Sequence, residues 1–174
     1  MSQYICVDIG GTSIKHGVLD ENAIIKECNQ TKTEAWLGGA AVLDKVKTIG
    51  KQYKEQYENI EGICISTAGM VDPEEGKIVF AGELMPGYTG TCIKKELEKA
   101  LEMPCEVEND VNCAGLAEYV SGSAKESHIM FCATVGTGIG GCAIVNGRVF
   151  HGASNSACEV GYIPMGDSDF QTLG

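Results

Sequence analysis

Arginine is all but missing from this sequence: of 13 basic residues only Arg148 is an arginine, set against 24 acidic residues and a formal net charge of −11. That balance excludes a nucleic-acid surface, because phosphate backbones are gripped by clustered cations. It also excludes a phosphate site built from arginine forks. A bound phosphate would have to draw on backbone N–H groups, helix N-termini and a cation. No apolar run approaches the roughly 18 residues needed to span a bilayer. None of the nine cysteines stands in C-x-x-C spacing, so that pattern of metal or redox site is not expected. The start of the chain lacks a basic stretch ahead of its apolar run, and Asp8 interrupts that run early. No secretory leader is therefore expected, and the thiols read as reduced, in a cytoplasmic protein.

Glycine is what the sequence has in abundance, 23 of 174 residues, and its placement is informative. YICVDIGGTSIKHGVLD reads as a strand over 4–9, a turn at Gly10 and Gly11, and a second strand over 13–19. A short third strand is predicted over 23–25. Apolar residues at helical intervals predict a long amphipathic helix over 34–57. A strand over 60–66 then runs into a loop rich in turn formers, and a second helix is predicted over 91–103, stopped by Pro104. A strand over 105–110, a helix over 111–122 and a buried strand over 128–135 follow. A second glycine turn, GTGIGG, precedes CAIV and the turn dipeptide Asn146-Gly147. Cys6, Cys64, Cys132 and Cys142 fall in apolar strand-like runs and are expected in the core. The stretch SGSAKES (121–127) breaks the apolar pattern and suggests lobes at 1–120 and 121–174. The second would be small for an independent core, so the chain is expected to be incomplete at its C-terminus.

Three constellations carry chemistry. Asp8, Gly10, Gly11, Thr12 and Lys15 form the first. Glycines bring backbone N–H groups close to an anion, Thr12 adds a hydroxyl, and a strand-end carboxylate can hold a hydrated Mg²⁺ beside a polyphosphate. The plainer alternative is a glycine turn needed only for its positive φ, capped by Asp8. Thr137 and Gly138 in the second turn suggest a matching phosphate hairpin. Asn109 and Asp110 stand at the mouth of a strand just ahead of a helix. They fit a helix cap, or a carboxylate that accepts the proton of an attacking hydroxyl at the carboxyl end of a sheet. Glu159, in a loop of small residues, is the third; an isolated carboxylate there is more often solvated.

DIGGT (8–12), STAGMVD (66–72), ENDVNCAGLAE (108–118), VGTGIGG (135–141) and GASNSACEVGY (152–162), in this order, resemble the ROK family of sugar kinases and sugar-responsive repressors. The resemblance covers nearly the whole chain. It implies an α/β fold of the actin-like, ribonuclease-H-like ATPase type, represented by the N-terminal lobe and the beginning of the second. It also implies nucleotide and sugar in the cleft between lobes, with ATP as co-substrate and Mg²⁺ as cofactor. Asp110 then resembles the catalytic base and Asn109 its sugar-binding neighbour. Glu159 matches a carboxylate that binds sugar hydroxyls, and Gly69 the glycine of the sugar loop. Asp8, Gly10, Gly11, Thr12 and Lys15 correspond to the first phosphate motif, with Asp8 reaching Mg²⁺ through water; Thr137 and Gly138 correspond to the second.

There are departures from the family pattern. Ala68 replaces a usual proline. Tyr162 stands where a sugar- and zinc-binding histidine is usual, and residues 163–174 contain no cysteine; a phenol is a poor zinc ligand, so no zinc is expected. The family resemblance implies a full length of about 290 residues, and dimers are common among relatives. The expected function is ATP-dependent phosphorylation of a sugar hydroxyl, at C6 of a hexose or glycoside. The rivals are a sugar-sensing transcriptional regulator and a non-catalytic sugar-binding protein. With the first phosphate motif already at Asp8, and no helix-turn-helix ahead of it, the kinase is the expectation.

Overall fold

A computed structural model describes residues 1–83, 85–136 and 138–163. The chain divides into two compact units, with the division between Asn109 and Asp110.

The first unit is built on a five-stranded mixed sheet. Strand β1 (Gln3–Ile9) pairs antiparallel with β2 (Ser13–Asp20), which pairs antiparallel with β3 (Ile25–Lys32). After helix α1 (Gly39–Gln56), strand β4 (Ile60–Thr67) returns parallel to β1. A small hairpin of β5 (Met70–Asp72) and β6 (Lys77–Phe80) and then helix α2 (Ile93–Leu101) lead to β7 (Cys105–Asn109), parallel to β4. The sheet order is β3-β2-β1-β4-β7. Strand alternation assigns its two faces. Ile5, Val7 and Ile9 of β1, Ile63 and Ile65 of β4 and Cys105 and Val107 of β7 are buried in one core with α1 and α2. Tyr4, Cys6 and Asp8 point the other way.

The helices owe their positions to that core. Val42, Val46, Ile49 and Tyr53 make the buried stripe of α1, and Ile93, Leu97 and Leu101 that of α2. Each such side chain is worth about 1.5–3 kcal/mol on burial. Gly50 lets the helices close: a Cβ there would stand 2.6 Å from a Leu101 methyl.

Helix α1 starts later than its periodicity predicts. Glu34 (φ 54°) and Gly38 (φ 89°) are left-handed, which confines 35–37 to a 3₁₀ turn. The Gly39 N–H is then satisfied by the Pro86 carbonyl at 2.8 Å. Strand β3 is much longer than the predicted 23–25. It is an edge strand, exposed at seven of its eight positions, and is held by backbone pairing that leaves no hydrophobic alternation to read. The predicted loop after β4 contains the β5–β6 hairpin, whose turn is tied by the Asp72 carboxylate accepting the N–H groups of Glu74 and Glu75.

In the second unit, helix α3 (Asp110–Val120) packs on β8 (Ile129–Val135) and β9 (Ile139–Val145), antiparallel partners that β10 (Arg148–Val149) extends. The Ser/Gly-rich stretch 121–127 follows α3 within this unit, so the observed division falls earlier than the linker composition suggests. A Cβ at Gly115 would come 2.6 Å from the Cys142 sulfur, the measure of how closely helix and sheet meet. Strand β8 is not buried as predicted. Its Met130, Cys132 and Thr134 alternate with Ile129, Phe131 and Val135, which are 73%, 58% and 83% exposed. Of the cysteines expected in the core, Cys142 is buried, Cys6 and Cys132 are half-buried and Cys64 is exposed. Cys64 sits on the sheet face away from the helices, a placement its apolar neighbours conceal.

Candidate functional site

The carboxyl ends of the three parallel strands bring the first unit's candidates together. In register, Asp8 of β1 lies beside Ser66 of β4, which lies beside Glu108 of β7. The Ser66 hydroxyl donates to Asp8 Oδ1 at 2.7 Å. One residue further, Thr67 pairs with Asn109, and the Asn109 amide donates to the Gly69 carbonyl at 2.9 Å. Gly69 is glycine of necessity: its φ is +101°, and a Cβ would stand 2.7 Å from the Phe80 carbonyl oxygen. Beneath this rim the buried Thr67 hydroxyl pairs with the Tyr88 phenol at 2.7 Å. Burial pushes the Tyr88 pKa up to about 12, so the phenol stays neutral.

The β1–β2 turn crosses the same end of the sheet. The Gly10 N–H donates to the Ser13 carbonyl at 3.0 Å, and the Thr33 N–H donates to the Thr12 carbonyl at 3.0 Å. Thr33, fully buried, also donates its hydroxyl to the Gly10 carbonyl at 2.6 Å. Gly11 and Thr12 are exposed. Neither Gly10 nor Gly11 has a left-handed φ, which removes the conformational reason considered for this turn. At Gly11 an added Cβ would meet nothing within 4 Å. Lys15 is the β2 partner of Asp8 and is exposed on the same sheet face.

The second unit begins with Asp110, whose Oδ1 accepts the Val111 N–H at 3.0 Å at the head of α3. Both expectations for this residue meet here, since a carboxylate engaged with a helix terminus is also a positioned one. Glycines on opposite faces of β9 set its surroundings. A Cβ at Gly140 would lie 2.4 Å from a Val111 methyl, and one at Gly141 would lie 2.5 Å from the Cys158 carbonyl oxygen. Helix α3 and the segment around Glu159 thus press on the strand from its two sides. Glu159 is half-buried rather than solvated. Burial first, and then the charge of Asp110, raise its pKa above the ordinary carboxylate value. Tyr162 closes the 3₁₀ turn after it, donating its N–H to the Glu159 carbonyl at 3.2 Å, with its side chain exposed. In the β8–β9 turn the Gly136 N–H donates to the Gly138 carbonyl at 2.9 Å, and the exposed Gly136 has open space where a Cβ would be. Thr137 lies outside the described residues, as do residues 164–174 and so most of the segment noted for lacking zinc-type cysteines.

Sequence reasoning did not single out Ser66, Thr33 or Tyr88. Ser66 carried a faint signal, as a hydroxyl two residues past Cys64 on an apolar strand. Thr33 and Tyr88 carried none, since their partners lie 23 and 21 residues away.

A hairpin feeding a mixed sheet, with its turn at the carboxyl ends of the parallel strands, is the arrangement of the actin-like ATPase fold. The ROK family model matches residues 4–172. An uncharacterized protein of Clostridium perfringens is 50% identical over 99% of this chain and 58% of its own length. A glucokinase of Halalkalibacterium halodurans is 31% identical over 93% of the chain and 50% of its own. The crystal structure of a ROK family glucokinase from Streptomyces griseus, in complex with glucose and AMPPNP, superposes with a TM-score of 0.82. It is 30% identical, and the match covers 93% of this chain and 50% of that one. The protein belongs to the ROK family. The chain spans about half the length of the curated relatives it matches. Among the described residues no helix is long and apolar enough to cross a membrane.

Proposed function

We propose that the protein acts, in its full-length form, as an ATP-dependent sugar kinase that phosphorylates a hexose or glycoside hydroxyl, at C6. In the first unit Gly10, Gly11, Thr12 and Lys15 face the phosphates, and in the second Gly138 does so with Thr137. Gly69, Asn109, Glu159 and Tyr162 contact the sugar. Asp110 takes the proton of the attacking hydroxyl.

Gly11 is the observation that carries this reading. Its backbone conformation does not require glycine and no protein atom would touch a side chain there. A bare backbone with room in front of it suits a close-fitting anion. Scarcity of arginine agrees, because the phosphates must then be met by backbone donors and a cation. The residues at Asp8 fit Mg²⁺: Ser66 hydrogen-bonds Oδ1, and a single carboxylate suits an ion that keeps most of its water and binds mainly to substrate phosphates. Bound there, Mg²⁺ would neutralise charge on the transferring phosphoryl group. Most of the rate then comes from orientation and charge stabilisation. Asp110, positioned by its bond to the Val111 N–H, contributes proton abstraction worth about 10²–10⁴-fold.

The test is to incubate full-length protein with ATP, Mg²⁺ and a panel of sugars and to measure ADP. Sugar-stimulated ADP release is expected, with Asp110→Asn slower by about 10²–10⁴-fold while sugar binding persists. An Asp110→Asn rate near that of the unsubstituted protein would remove Asp110 from the role of base. No sugar-stimulated release from the unsubstituted protein, with sugar still bound, would favour a sugar sensor of the same family.

A further inference from the structure

The sheet face turned away from α1 and α2 carries a pair of thiols for which the phosphate and sugar chemistry has no use. Cys6 of β1 and Cys64 of β4 are register partners on adjacent parallel strands. Their row across the sheet reads Cys28, Gly17, Cys6, Cys64, Glu106. We propose that Cys6 and Cys64 form a redox-active pair that a hydroperoxide closes into a disulfide across β1 and β4.

Geometry selects this pair. Neighbouring strands lie about 4.8 Å apart, inside the roughly 4.4–6.8 Å Cα separation that a disulfide spans. Both side chains leave the sheet on the same side, as strand alternation requires of register partners. Gly17 flanks Cys6 with no side chain, which leaves the Cys6 rotamer free of a neighbour in its own row. On the other flank, Glu106 is drawn to Lys94, whose ammonium reaches its carboxylate at 3.0 and 3.2 Å. Tyr4 and Asp8 on β1 and Ser66 on β4 complete this side of the sheet. Cys64 is exposed and Cys6 half-buried, so an oxidant reaches the first and the second stands behind to resolve it. Cys28 lies two strands from Cys6, about 10 Å away at that spacing, beyond reach. Cys105 points into the core, where burial pushes its thiol pKa up to about 12. A hydrogen bond with Cys6 instead lowers that of Cys64 to about 7.

The chemistry balances. The Cys64 thiolate attacks the distal oxygen of the peroxide, the O–O bond breaks, and sulfenic acid and hydroxide form. The Cys6 thiol then attacks the Cys64 sulfur, expelling the sulfenic oxygen as water. Overall two thiols and one hydrogen peroxide give one disulfide and two waters. The bond would draw the two Cβ atoms to about 3.8 Å, just behind the Asp8–Ser66 hydrogen bond two residues along both strands. An effect on phosphoryl transfer follows only if the kinase reading holds; formation of the bond does not depend on it.

Full-length protein, reduced and then exposed to hydrogen peroxide, is alkylated, digested and analysed by mass spectrometry. A Cys6–Cys64 cross-linked peptide is expected as the first disulfide. It should be reversed by dithiothreitol, absent from Cys6→Ser and Cys64→Ser, and retained in Cys28→Ser. If both thiols stay alkylatable while other cysteines oxidise, or Cys64 stops at the sulfenic acid, the proposal is overturned. Sugar-dependent ADP release measured in parallel should fall several-fold on oxidation, recover with reductant, and resist peroxide in Cys64→Ser. Cross-linking without any change in rate would discard the regulatory consequence and keep the disulfide. Absence of sugar-dependent ADP release from reduced protein would instead count against the kinase reading alone.

Discussion

Replacing Gly11 with alanine separates a glycine kept for a ligand from one kept for the fold. The φ of Gly11 is outside the left-handed region and the new methyl would meet nothing within 4 Å. Stability should therefore hold, or rise by about 0.4–1 kcal/mol, since alanine narrows the unfolded ensemble at a position it can occupy without strain. If a phosphate oxygen sits against that backbone, the methyl displaces it. Losing one charge-assisted hydrogen bond costs about 1.5–3 kcal/mol, which is about 10–150-fold in kcat/KM for ATP. Urea unfolding and steady-state ADP release on the same full-length preparation decide the matter. A drop in stability that accompanies the drop in rate would make Gly11 a structural glycine. Unchanged stability with unchanged kinetics would mean that no phosphate approaches this turn, and the reading of the hairpin would fail.

Gly69→Ala should behave in the opposite way. With φ at +101° and the Phe80 carbonyl 2.7 Å from the new Cβ, backbone strain of about 1–3 kcal/mol is expected, visible as a lower urea midpoint even in the absence of ligand; an unchanged midpoint would contradict the conformation. Glu159 should titrate above the ordinary carboxylate range, because burial and then the Asp110 charge disfavour its ionised form. The folded protein then holds a proton that the unfolded chain has released, so this group's contribution to stability falls as pH rises from the ordinary carboxylate value through the raised one. In Asp110→Asn the Glu159 titration followed by carbon-13 NMR should move part of the way down, with the effect of burial remaining. No movement at all would mean that the two carboxyl groups do not sense each other.

Much of the architecture was written in local patterns. The β1 alternation, the stripe of α1 and the Pro104 stop after α2 each arise from periodicity or backbone chemistry within a few residues, and each appears close to its predicted position. The turn at Gly10 and Gly11 was legible for the same reason, as was the sequence position of Asn109 and Asp110 between strand and helix. Strand β3 was not, because an exposed edge is held by its neighbour's backbone and needs no hydrophobic code of its own. The burial predicted for β8 and Cys64 failed because an apolar run does not say which of its alternating side chains the helices cover.

By itself, then, the sequence determined which residue types are available for chemistry: backbone donors and carboxylates in place of arginines, glycines at two turns, and a run of motifs in ROK order. Tertiary structure alone decided which of them meet. The Ser66–Asp8 and Asn109–Gly69 hydrogen bonds, the Thr33 clasp on the first turn and the Cys6–Cys64 pairing join residues 58, 40, 23 and 58 positions apart. Partners at such distances are set by strand order and register, which the whole core fixes and no local stretch of the chain encodes.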